Sequence, residues 1–253
     1  MSVYFIFVIC IKKKSSFFTI HSKHKGGLTK FNKKVTIEMI TEVLIYFVHA
    51  PLGGITLLSG GISLIAKKGH TIHKKFGKIF FYSMLFSAIS AFIISVLPNH
   101  ESSFLFSIGL FSTYFLISGM RSLNYKKKEF YLSIDKIIAY LIILTGISMI
   151  SYPIFLYRKL NIILTIFGVV GFIFGLRDLI LFKDVKRLKK NFLKLYLGKM
   201  TGGYIAAVSA FFVVNKVLPG IWNWFVPGIL GSGFTTYWII KVNKNLKIKD
   251  NSK

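Results

Sequence analysis

The stretch Ile40-Thr-Glu42-Val-Leu-Ile-Tyr46-Phe-Val-His49-Ala-Pro51-Leu-Gly53-Gly54-Ile-Thr56-Leu-Leu-Ser59-Gly60-Gly-Ile-Ser63-Leu-Ile-Ala66 decides the fold. After Glu42 it carries no charge as far as Ala66. As a helix rising about 1.5 Å per residue, it is long enough to cross a hydrocarbon core of about 30 Å. Steps of four and three from Glu42 fall on Tyr46, His49, Gly53, Thr56, Gly60, Ser63, Lys67 and His70. That is a polar and small stripe of heptad period on an otherwise apolar helix, and such a face is expected to point into a bundle. The stripe has two readings. Small residues let neighbouring helices approach, with His49 donating one interhelical hydrogen bond. Alternatively, an intramembrane histidine near a carboxylate lines a proton, ligand or cofactor site, built from Glu42, Tyr46, His49 and Thr56. Pro51 cannot donate to the carbonyl of Phe47, which predicts a kink.

Working outward, the same apolar length recurs. The chain has 253 residues, 53% of them hydrophobic, and a mean hydropathy of +0.61, too apolar for a soluble globule. Further spans are expected at Ile79 to Leu97, Phe104 to Met120, Ile137 to Tyr152, Leu160 to Leu176, Met200 to Leu218 and Ile221 to Ile240. Runs such as Leu141-Ile142-Ile143-Leu144 lack the two-residue alternation of a transmembrane barrel. The predicted fold class is all-α: a polytopic transmembrane helix bundle of about seven spans, covering residues 39–241.

Charge sorts the connections. Lys67 to Lys78, Arg121 to Lys136, Arg177 to Lys199 and the tail over 242–253 are lysine-rich, whereas Pro98 to Ser103, Pro153 to Lys159 and Pro219 to Gly220 carry little charge. Lysine-rich turns stay cytoplasmic, so the alternation predicts an outside amino terminus and a cytoplasmic carboxyl terminus in a bacterial inner membrane. Trp222 and Trp224 mark an outer aromatic belt. The net charge of +26 is spread between apolar segments rather than gathered in a soluble basic domain. The expected partners are therefore the bilayer and its anionic lipid head groups, not nucleic acid. The sequence names no protein partner. Lysine far outnumbers the four arginines, Arg121, Arg158, Arg177 and Arg187, a composition that hints at an AT-rich bacterial genome.

Residues 1–38 break the pattern, with eight lysines on the side of the poorly charged turns. The apolar run Val3 to Ile11 is too short to span and lacks the flanks of a signal peptide. The expectation is that residues 1–38 are a leader or a disordered basic extension, with translation beginning at Met39. Cys10 is the only cysteine, which excludes an internal disulfide or a thiolate metal site.

Other spans carry smaller signals. Ser107, Tyr114, Ser118 and Arg121 share one face of the third. Gly171 and Gly175, then Gly198, Gly202 and Ala206, have the spacing of close helix contacts. Arg121 in Ser-Gly-Met-Arg and Arg177 in Phe-Gly-Leu-Arg-Asp178 end the third and fifth spans alike, and Arg177 with Asp178 is expected to be an interfacial group. His70 and His73 have a metal-ligand spacing, but Lys67, Lys68, Lys74 and Lys75 around them oppose a cation; His21 and His24 repeat that spacing within the doubtful leader. No serine-histidine-acid set, phosphate loop or dinucleotide fingerprint is present, and Gly231-Ser-Gly233 lacks the rest of any such motif. The sequence favours a non-enzyme.

From about Glu42 to Ile240 the chain resembles a family of uncharacterised bacterial multi-pass membrane proteins, a domain of unknown function. The resemblance rests on His49 with Gly53-Gly54, on Ser59-Gly60 running into Lys68-Gly69, and on His73-Lys-Lys-Phe-Gly77-Lys78. It continues in Gly119-Met-Arg121, in Gly175-Leu-Arg177-Asp178 and in the spacing of Met200 to Tyr204. It implies a multi-pass protein whose activity is unassigned, and it marks His73, Arg121, Arg177, Asp178 and Tyr196 as interfacial motif positions. Relatives often carry histidine four residues before Met200, where this chain has Tyr196. A late histidine with His49 and His73 would suggest haem ligation, but no axial pair at one depth is evident here. The sequence therefore points to a membrane protein handling protons or a small molecule at the His49 stripe. Its alternatives are a redox protein binding haem or quinone, and a non-catalytic assembly partner.

Overall fold

In lipid every backbone N–H and C=O must be paired within the protein, and an apolar segment achieves this alone only as a helix. The computed structural model describes residues 38–251, except 99 and 101, and shows helices and turns with no strand among the described residues. The expectations on the leader, Cys10, His21 and His24 lie outside them. By backbone contacts the chain divides into Met1–Ile40 and Thr41–Lys253, and the helix bundle belongs to the second unit.

The described residues hold seven long helices: α1 (Glu38–Ile65), α2 (Thr71–Val96), α3 (Ser103–Ser122), α4 (Ser133–Tyr157), α5 (Ile162–Leu181), α6 (Val185–Asn215) and α7 (Trp222–Asn251). Local chemistry sets their ends. Ser102, Asn161 and Asp184 cap α3, α5 and α6 by accepting from the N–H groups of Leu105, Leu164 and Arg187. Gly69, with φ of +82°, makes the turn between α1 and α2, a conformation that a side chain would strain.

Five of the seven, α1, α2, α4, α5 and α6, are long and apolar enough to cross a membrane. α3 is diluted by Ser107, Ser112, Thr113, Ser118 and Arg121, and the second half of α7 is rich in lysine. The surface has the polarity of a protein dissolved in lipid. Ile65, Phe155 and Phe47 are 89%, 80% and 76% exposed, while Thr56 and Ser59 are 0% and 3% exposed. Water would invert that order, since exposing large apolar side chains there loses about 25 cal/mol per Å².

Four helices close a cycle of contacts, α1 with α2, α2 with α3, α3 with α6 and α6 with α1. Phe80, Met84, Leu116 and Met200 fill its centre. The hairpin α4–α5 packs on α3 through Phe111, Tyr114, Ile142, Met149 and Leu164, and α7 packs on α6. Glycine permits the tightest crossing. A β-carbon on Gly146 would lie 2.5 Å from the carbonyl oxygen of Gly168, and one on Gly168 would lie 2.6 Å from that of Gly146. Gly171 and Gly175 meet Phe111, Ile142 and Ile143, and Gly202 meets Phe115, in line with the expected close contacts; Gly198 has only Ile239 near, at 4.0 Å.

The helices overrun the spans read from hydropathy. Lys74, Lys75 and Lys78 lie on α2, the charged run over 185–199 is the first half of α6, and α7 continues to Asn251. Lysine and arginine are good helix formers, and hydropathy cannot register a helix that leaves the membrane without ending. α6, with 31 residues, measures about 46 Å and so exceeds a hydrocarbon core of about 30 Å. Its amphipathic first half buries Leu188 with Tyr125, Ala139 and Phe182. Pro153, read as opening a connection, is inside α4, which runs on to Tyr157. Membrane helices tolerate proline because neighbouring groups satisfy the freed carbonyl.

Candidate functional site

The stripe on α1 meets a matching stripe on α2. His49, Thr56, Gly60 and Ser63 turn inward, whereas Glu42, Lys67 and His70 are exposed and Tyr46 is half-buried. His49 Nδ1 is 3.1 Å from the carbonyl oxygen of Ser87, 3.0 Å from Ser90 Oγ and 3.3 Å from Ser87 Oγ. A carbonyl only accepts, so Nδ1 carries the hydrogen and the neutral ring keeps its lone pair on Nε2. Two turns further along α1, Thr56 Oγ1 is 2.9 Å from Ser83 Oγ. At the far end His73 Nδ1 is 2.8 Å from the carbonyl oxygen of Ser63 and 3.1 Å from its hydroxyl. The seam is thus a ladder of hydroxyls with an imidazole at each end.

Backbone geometry sets the upper imidazole. Leu44–His49 is a π-helical turn, closed by the N–H of Ala50 on the carbonyl of Ile45. Pro51 follows at once and offers no N–H to Phe47. The expected distortion therefore takes the form of a widened turn that ends on His49. From His49 to Ser63 is about 21 Å at 1.5 Å per residue, so His49 and His73 stand at opposite ends of the seam and cannot ligate one haem.

Gly60, Gly77 and Gly119, remote from one another in sequence, converge on α6. The Tyr204 ring lies on Gly60, and its hydroxyl donates to the carbonyl of Leu57 at 3.3 Å. A β-carbon on Gly77 would sit 3.3 Å from Ser63 Oγ and 3.9 Å from Tyr196 Oη, and one on Gly119 would sit 3.0 Å from Met200 Sδ. Tyr196 is half-buried against the Phe80 and Met200 cluster.

Two buried carboxylates lie along α3. Asp178 on α5 accepts from the Tyr114 hydroxyl at 2.8 Å and pairs with the Lys199 ammonium of α6. That ammonium is 3.1 Å from Tyr114 Oη and 4.5 Å from the centre of its ring. Asp135, at the start of α4, takes a two-pronged contact from Arg121, Nε at 2.9 Å and the terminal nitrogen at 2.6 Å, and a third bond from the Tyr125 hydroxyl at 2.9 Å. Burial, with the Asp135 carboxylate beside it, pushes the Tyr125 phenol well above its ordinary value. In the turn after α1, Lys68 donates to the carbonyls of Leu64 and Ser63 at 2.6 and 3.2 Å and lies 4.7 Å from the Trp238 ring centre, where burial lowers its pKa.

Arg177 and Asp178, read as one group, part company, because adjacent helix residues point about 100° apart; Arg177 is exposed and Asp178 is 6% exposed. The parallel between Arg121 and Arg177 does not extend to their partners, since only Arg121 holds a carboxylate among the described residues. His70 is exposed, and His73 Nδ1 is turned to Ser63. The sequence reading missed Lys199, Tyr125 and Asp135, and it missed the partner stripe on α2. Ser83, Ser87 and Ser90 repeat the spacing of four and three and were legible as such; Lys199 was hidden at the end of a charged run. Compared with known proteins, the chain matches no family model, no curated protein and no solved structure.

Proposed function

We propose that this membrane protein threads a bacterial inner membrane seven times, with its amino end outside and its basic turns against anionic lipid head groups, and moves or binds protons along the seam between α1 and α2. One observation carries the reading: hydroxyls of Ser87, Ser90, Ser83, Thr56 and Ser63 line the helix contact between His49 and His73. Each imidazole has one ring nitrogen against a backbone carbonyl, which leaves its second nitrogen outside that contact. Intramembrane histidines with polar neighbours are the usual parts of proton relays. The redox alternative lacks two imidazoles at one depth. The assembly-partner alternative is favoured by the fact that the same hydroxyls also satisfy helix carbonyls, as Thr56 does at Leu52 and Ser83 at Phe80.

The test is proton flux into liposomes holding the purified protein and an internal pH-sensitive dye. Flux above that of empty liposomes, lost in His49→Gln and in Thr56→Val while folded protein is retained, supports the relay. Liposomes as tight with wild type as with His49→Gln leave the seam a packing device.

A further inference from the structure

We propose that Tyr114, Asp178 and Lys199 form an exchangeable cation site, in which the Lys199 ammonium is the resident occupant and an incoming monovalent cation, a proton or an alkali ion, displaces it. The site uses α3, α5 and α6 and is independent of the α1–α2 seam.

The carboxylate is used unevenly. Asp178 Oδ2 takes both the Tyr114 hydroxyl and the Lys199 ammonium, while among the described residues no hydrogen bond reaches Oδ1. Among the described residues Thr165 Oγ1 is the one buried side-chain polar atom without a partner, so Oδ1 is not sealed off, and its open acceptor positions are a place for another positive group. Its surroundings suit one. The Tyr114 ring presents its face to the ammonium at 4.5 Å and its oxygen at 3.1 Å. Carboxylate, aromatic face and phenol oxygen together attract compact cations.

Exchange conserves charge, which is what makes it feasible. Among the charged groups nearby, Arg121 is neutralised by Asp135, which Tyr125 also contacts, and Arg177 is exposed on the other side of α5. Asp178 and Lys199 are therefore a neutral pair. Removing the lysine alone would strand a buried anion, whereas replacing it by another monovalent cation would not. Lysine on a helix leans toward the amino-terminal end, and in α6 that end is the charged stretch with Lys186, Lys189, Lys190 and Lys194. A four-carbon stem lets the ammonium withdraw that way while its methylenes stay packed.

The experiment is infrared difference spectroscopy on the full chain, labelled with carboxyl-13C aspartate, in lipid nanodiscs. One arm exchanges choline for sodium at fixed pH and ionic strength. The other steps the pH from mildly acidic to mildly alkaline in choline. The expected result is a labelled carboxyl band that responds in one arm and is lost in Asp178→Asn: the sodium arm identifies an alkali ion, the pH arm a proton. In Lys199→Gln the same arm should respond at roughly tenfold lower cation concentration, because the resident competitor is gone. A wild type and a Lys199→Gln variant both silent in both arms would overturn the proposal, as would a response that persists in Asp178→Asn. Should Asp178→Asn fail to fold, the shift between wild type and Lys199→Gln decides alone, and an unchanged midpoint counts against the site.

Discussion

Asp178 and Lys199 meet at the junction of α5 and α6, with the hydroxyl of Tyr114 on α3 completing the contact. Their side chains are only 9% and 13% exposed, so this ion pair ties the α4–α5 hairpin to the four-helix cycle from inside. Breaking it by Lys199→Met leaves an uncompensated buried carboxylate and is expected to destabilise the protein by about 3 to 5 kcal/mol. The double variant Asp178→Leu with Lys199→Met is expected to recover most of that loss. Chemical unfolding in detergent checks both, and equal losses in single and double variants would show that the pair does not tie the hairpin to the cycle.

The Arg121 and Asp135 contact holds the turn between α3 and α4 through a planar fork on a carboxylate. Arg121→Lys keeps the charge but not the two-pronged geometry, so it is expected to lose much of what Arg121→Ala loses. Limited proteolysis between Lys126 and Leu132 should quicken in both variants relative to wild type. Unchanged cleavage in Arg121→Ala would refute the clamp.

Tyr125 gives that clamp a pH dependence. Its phenol stays protonated to higher pH when folded than when unfolded, where it titrates near 10. As pH rises above about 10, the folded state binds more protons than the unfolded one, and stability falls. Below about 10 the contribution is complete. Tyr125→Phe is expected to lose about 1 to 2 kcal/mol at neutral pH, with its hydrogen bond to Asp135, and to flatten the alkaline decline. Midpoints of denaturation measured across alkaline pH test the sign.

Glycine at the α4–α5 crossing allows the two backbones to touch. Gly146→Val places a branched side chain against the carbonyl of Gly168 and forces the helices apart, with an expected loss of about 1 to 3 kcal/mol or more. Gly53→Ala is the control, because a β-carbon there has nothing within 4 Å. Thermal inactivation midpoints that fall equally for both substitutions would contradict the crossing.

Orientation is open to labelling. In a Cys10→Ser background, His100→Cys is expected to react with a membrane-impermeant maleimide in intact cells, and Lys74→Cys only after permeabilisation. The reverse result would invert the proposed topology.

The sequence by itself determined that the chain is helical and dissolved in lipid, because apolar length and the absence of two-residue alternation leave no other way to pair the backbone. It also placed His49, Thr56 and Ser63 on one inward face, since a heptad stripe follows from helix geometry alone. It set the Pro51 distortion in the right turn but not its π form, which depends on how α1 meets α2. Helix ends were poorly legible where lysines continue a helix beyond its apolar part, as in α2, α6 and α7. What only the tertiary structure decided was partnership. Asp178 lies beside Arg177 in the chain and pairs instead with Lys199, because a helix turns about 100° between neighbours and the crossing of α5 with α6 chooses which face is buried. The convergence of Gly60, Gly77 and Gly119 on Tyr204, Tyr196 and Met200 of α6 likewise requires four helices to be packed, a fact that no local pattern encodes.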